Sequence, residues 1–150
     1  MRGLARYRSL LLPFKILAWS AVAIFLAAVL NRIIIIKYRT NAPGLQLLSI
    51  EEYIFYSLVY YQLFKIQIIK RFITASITLV VIFFVINAVF LQPFAHKFPT
   101  NINATAQMIN VALALFLFKE MLNYHIKIDI VKQSAFWFNT AMLFYATTFF

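Results

Sequence analysis

The sequence predicts an all-α integral membrane protein: one domain, an antiparallel bundle of about five transmembrane helices. Three observations carry this. The first is composition: of 150 residues, 64% are hydrophobic and 12% charged. A soluble domain needs roughly a quarter of its residues charged to cover its surface. The second is spacing. Apolar stretches of 17 to 21 residues recur five times, close to the roughly 20 that cross a hydrocarbon core. The third is charge placement. The net charge is +10, and its basic residues cluster in the linkers, where they anchor and orient a chain at lipid headgroups. That placement explains the charge without nucleic acid as a partner.

The expected spans are residues 10–30, 47–64, 72–92, 102–118 and 134–150. Pro13 and Lys15 stand in the first turns of the first span. There a missing N–H is tolerated and a lysine can snorkel. The run Ile33, Ile34, Ile35, Ile36 either extends this helix or lies in the interface. Pro43 and Gly44 read as the turn before the second span. The third span is rich in β-branched residues, yet lipid requires helix because only a helix satisfies its own backbone. The fifth span ends on Phe149 and Phe150 with no polar flank, which reads as a fragment or a short last helix. The basic start, "MRGLARYRS", followed by a long apolar run reads as a retained span rather than a cleaved leader.

The linkers set an orientation. One side carries Arg2, Arg6, Arg8, Lys15, Lys65, Lys70, Arg71, Lys119, Lys127 and Lys132, ten cations. The other carries four: Arg32, Lys37, Arg39 and Lys97. The positive-inside rule then places the N-terminus in the cytoplasm of a cell inner (plasma) membrane. Trp19 and Trp137 fall toward the cytoplasmic half of their spans, where belt aromatics are expected.

Chemistry-bearing residues are few. There is no cysteine, hence no disulfide and no thiolate metal site. His96 and His125 lie in linkers on opposite sides, and the spacing of Glu120, His125 and Asp129 is not a usual ligand pattern. The sequence therefore points to no metal, no cofactor and no enzyme. What stands out is polar residues inside spans. Glu51 and Glu52 are half of the acidic residues, of which there are four. Glu51 reads as a carboxylate favoured by a helix N-terminus near the outer headgroups. Glu52 points about 100° away, above Tyr56 and Tyr60, and is expected to face the bundle. Asn87 on the third span and Asn103, Gln107 and Asn110 on the fourth lie at similar depth. The candidate site is therefore Glu52, Asn87, Gln107 and Asn110, a polar cluster in the outer leaflet. The competing reading is helix-packing glue for the amides and an interfacial cap for Glu52. Asn139 falls in the inner half and does not join this cluster.

Four stretches, "YRSLLLPFKILAW", "EEYIFYSLVYYQLFK", "IIKRFITASITLVVIFFVINAVFLQ" and "DIVKQSAFWFNTAMLFYATTFF", taken in order resemble a family of small uncharacterised multipass membrane proteins of Bacteroidota. In that family a Glu opens an "EF-FYS"-like helix, matched by Glu52 through Ser57. A late "P-FWI-G-LFFY-G-F"-like helix is matched by Ala135 through Phe150. Ala135 stands there in place of Pro, and Asn139 and Thr140 stand around the usual small residue. The resemblance implies a truncated or shortened member of a protein of six to seven helices. It transfers no activity. By analogy of helix count alone it implies a sensory or accessory module.

The functional expectation is a non-enzymatic sensory or accessory module of an envelope signalling system. Its partners would be the lipid bilayer and a membrane protein or a second copy. The alternative is a small transporter or channel subunit that uses Glu52 as an ion- or proton-coupling carboxylate. Against the alternative, no span is broken by Gly or Pro, the usual mark of a midplane site.

Overall fold

The computed structural model describes residues 12–91, 100–124 and 134–148. Among the described residues there is no strand, and five helices follow one another: α1 (Leu12–Tyr38), α2 (Ala42–Leu63), α3 (Gln67–Ile86), α4 (Thr100–Tyr124) and α5 (Ser134–Thr148). Three stretches are long and apolar enough to cross a membrane: Leu12–Lys37, Gln67–Leu91 and Thr100–Asn123. Arg2, Arg6, Arg8, Leu10, Gln92, His96, Lys97, His125, Lys127, Asp129, Lys132 and Phe150 lie outside the described residues.

The first corner differs from expectation. The isoleucine run belongs to α1, which continues to Tyr38. The turn is made at Arg39, whose φ of 55° is left-handed and whose N–H donates to the Ile35 carbonyl at 2.9 Å. Thr40 Oγ1 then accepts from the Ala42 N–H at 3.3 Å. Pro43 and Gly44 are not the turn. They lie in the first turn of α2, where proline's missing N–H would have no helical partner in any case. Gly44 serves close approach instead: a Cβ there would collide with the Asn31 carboxamide of α1.

Because α2 starts at Ala42, Glu51 and Glu52 lie more than two turns inside it, and its first turn holds no acid. The helix-terminus explanation for Glu51 therefore fails, since the dipole acts within the first turn.

The second corner is tighter than expected. Only residues 64–66 separate α2 from α3, so Lys70 and Arg71 stand on the first turns of α3 rather than in a linker. No Gly or Pro breaks the chain here. The break is held from another helix: Glu120 Oε1 of α4 accepts the Lys65 N–H at 2.9 Å. Phe64, 1% exposed, anchors the corner in the core. Beyond Ile86, α3 widens into a π-helical turn over Asn87–Leu91.

α2 is the central helix. It packs on α1, α3 and α4 and reaches α5 through hydrogen bonds. Tyr60, Phe64, Ile73, Leu113, Leu117 and Met142 form the main apolar core. Tyr53, Val80 and Ala106 form a smaller one.

α1 is the opposite case. Ser20 is buried, and Ala23, Ala27 and Asn31 are partly covered along the same stripe. Small side chains there let α1 approach α2 closely. The other face stays open. Val22, Leu26, Val29, Ile33 and Ile36 are all exposed.

Gly44→Val is expected to force α1 and α2 apart and to lower the thermal midpoint of the detergent-solubilised protein, at a cost of about 1–3 kcal/mol. Asn31→Ala in the same chain should recover part of the loss. An unchanged midpoint in Gly44→Val would remove the close approach.

Candidate functional site

An apolar helix that carries polar groups must turn them toward partners, because lipid offers none. α2 does this at Glu52, Tyr53 and Tyr60, although no donor reaches Gln46 Oε1 or Ser57 Oγ, both buried on the same helix. Near its middle, Glu52 Oε2 accepts from the Tyr145 hydroxyl of α5 at 2.7 Å. That is the short range of a hydroxyl bonded to a carboxylate. The Tyr145 ring meets Tyr56 edge-on, with centroids 6.1 Å apart. One residue on, Tyr53 donates to Ser76 Oγ of α3 at 2.9 Å, and Ser76 donates in turn to the Ile73 carbonyl at 2.8 Å.

Two turns further, Tyr60 donates to Asn139 Oδ1 of α5 at 3.0 Å. The Asn139 amide donates to the Ala114 carbonyl of α4 at 2.9 Å. One side chain thus ties three helices, and both Tyr60 and Asn139 are fully buried. At the end of α2 comes the Lys65–Glu120 bond described above.

The structure divides the cluster expected from the sequence. Glu52 is only half-buried, and its hydrogen bond goes to Tyr145 rather than to Asn87 or Gln107. Asn87 is fully buried in the π-helical turn, and its Oδ1 accepts from Asn101 Nδ2 at 3.1 Å. Gln107 and Asn110 are buried on α4, but no donor reaches Gln107 Oε1 or Asn110 Oδ1. The four residues do not form one hydrogen-bonded group.

Two of the groups that carry the contacts between helices, Tyr145 and Ser76, carry no signal of their own in the sequence, and Asn139, set apart there from the outer cluster, proves to carry another. The signal was available in α2. Tyr53 and Tyr60 are tyrosines where phenylalanine would serve a purely apolar face, so each hydroxyl asks for a partner on another helix.

Chemically, this is a set of hydrogen bonds between a carboxylate, phenols, a hydroxyl and amides. Among the described residues no three of His, Cys, Asp and Glu come together to hold a metal ion. Glu52 is the carboxylate in this set, and the Tyr145 phenol donates to it. No protein-family model, curated protein or solved structure matches the chain. Its own geometry is therefore what bears on function.

Proposed function

We propose that this chain is a multipass membrane protein without catalytic activity, all five helices crossing the bilayer in alternating directions. It works as a sensory or accessory module of an envelope signalling system by docking a partner helix. The observation that carries the reading is the open face of α1. Val22, Leu26, Val29, Ile33 and Ile36 are exposed and alternate in steps of four and three residues. That is the repeat of a helix–helix seam. In lipid such a seam is driven by packing rather than by hydrophobicity. Elsewhere Glu52, Tyr53, Tyr60, Glu120 and Asn139 tie the other helices to one another, which suits a scaffold that presents one face.

The test is site-specific photocrosslinking in native membranes. A crosslinker at Leu26 or Val29 is expected to yield one discrete adduct with a second membrane protein that bears a cytoplasmic signalling domain. The same crosslinker at Phe116, exposed on α4, should yield none. An adduct of twice the chain's own mass would replace the accessory reading with a homo-oligomer. No discrete adduct from either position would remove the docking face.

One observation favours the transporter reading: Glu52 keeps a hydrogen-bonded carboxylate in an aromatic setting in the middle of α2. If that carboxylate couples an ion or proton, Glu52→Gln should keep the fold and abolish proton- or cation-dependent flux in proteoliposomes, while Glu51→Gln leaves it intact. Equal flux in the wild type and Glu52→Gln would eliminate this role.

A further inference from the structure

A groove of about 370 Å³ lies at the α2–α3 corner, between Tyr61 of α2 and the first turns of α3. Its mouth is polar and cationic: Gln67, Lys70 and Arg71. Lys70 Nζ stands 5.1 Å from the centre of the Tyr61 ring, a cation–π contact that holds the ammonium in place while leaving its charge unneutralised. Among the described residues neither Lys70 nor Arg71 has a carboxylate partner.

Away from the mouth the character changes. Thr74 Oγ1 donates back to the Lys70 carbonyl at 3.1 Å, and Thr78 Oγ1 donates to the Thr74 carbonyl at 3.2 Å. With their hydroxyl hydrogens used inside the helix, these threonines have no hydrogen left to donate to a ligand and offer it a methyl group and an acceptor oxygen. Ala75, exposed on the same helix, lines the groove between them. Ala75 also borders a second groove of about 330 Å³, lined by apolar residues including Leu79, Val80 and Phe83.

The dimensions match one class of ligand. From Arg71, the deeper of the two cations, to Thr78 the helix rises about 10 Å at 1.5 Å per residue, about two-thirds of one leaflet of a hydrocarbon core of about 30 Å. A pair of cations at one end and an open, largely apolar groove running part of a leaflet beyond them fit an amphiphile with an anionic head. We propose that this groove binds an anionic phospholipid. Its phosphate sits at Lys70 and Arg71, one acyl chain lies along Thr74 and Thr78, and Ala75 gives the second chain a path into the adjoining groove. The site rests on the membrane reading of α3 and not on any particular partner or transport activity.

The experiment is native mass spectrometry of the protein released from nanodiscs, with phosphatidylglycerol or phosphatidylcholine added in turn. Phosphatidylglycerol adducts should exceed phosphatidylcholine adducts. The double variant Lys70→Gln/Arg71→Gln should lose about tenfold or more of that excess, since each cation near an anionic headgroup contributes about a factor of five. The charge-matched variant Arg32→Gln/Arg39→Gln should keep it. Thr78→Leu, which fills the channel and leaves the charge untouched, should also weaken the adduct.

Equal losses in the two double variants would mean diffuse attraction and overturn the site. So would equal binding of the two lipids. Inorganic phosphate competing as well as the lipid would show a headgroup-only anion site and overturn the acyl channel. Incorporation into nanodiscs is scored separately. Failure there refutes the membrane reading, whereas normal incorporation without lipid preference refutes this proposal alone.

Discussion

Asn139→Ala is expected to destabilise the protein more than any other single amide truncation in it. The variant removes an acceptor from the Tyr60 hydroxyl and a donor from the Ala114 carbonyl. Tyr60 is 0% exposed, so its hydroxyl would be left without water or partner. An orphaned buried donor costs about 1–3 kcal/mol. The loss should appear as a lower thermal midpoint in detergent, read by size-exclusion chromatography of heated samples. The double variant Tyr60→Phe/Asn139→Leu separates cause from size. It removes both polar partners and is expected to be closer to wild type than Asn139→Ala. If the double variant falls as far as the sum of its single changes, the Tyr60–Asn139 bond contributes nothing.

The second large effect is at Glu120. This residue is 6% exposed, and one of its oxygens holds the Lys65 N–H where the chain passes from α2 to α3. Glu120→Ala frees that N–H and opens space in the core, with an expected cost of about 2–3 kcal/mol for a hydrogen bond to a charged group. Glu120→Gln keeps an acceptor at the same reach and should restore most of the loss. Both are read by the same heating assay. A glutamine as damaging as alanine would show that charge, rather than capture of the Lys65 N–H, holds the corner.

The helical, membrane-type character was legible because it follows from quantity. With so few charged residues the chain cannot clothe itself in water, and helix is the one local structure that then satisfies the backbone. The inward stripe of Gln107 and Asn110 was legible too, since positions three apart share a helix face. Corners were harder. Pro43 and Gly44 look like punctuation, but proline fits the first turn of a helix and Gly44 is fixed by Asn31, a residue on another helix. The corner at Lys65 carries no local signal, because its cause, Glu120, stands 55 residues away.

The site shows the same limit. Glu52 was placed against Asn87 or Gln107 by depth alone. Depth does not fix which helices are neighbours, and the partner proved to be Tyr145, 93 residues on. The neighbours of α2 also explain its composition. It is not among the stretches apolar enough to cross a membrane by themselves, yet Tyr53, Tyr60 and Glu52 find hydrogen-bond partners on α3 and α5. A central helix shielded from lipid by others can carry polar groups that a lipid-facing one cannot.

Whether α2 crosses the bilayer is therefore the point on which the proposed topology turns. The chain has no native cysteine, which permits a direct measurement. Asn41→Cys and Lys65→Cys place single thiols at exposed positions just beyond the two ends of α2. Intact cells are treated with a membrane-impermeant thiol reagent, then permeabilised and treated again. The account predicts labelling of Cys at position 41 alone in intact cells, and of both positions after permeabilisation. Labelling of both, or of position 65 alone, in intact cells would contradict it.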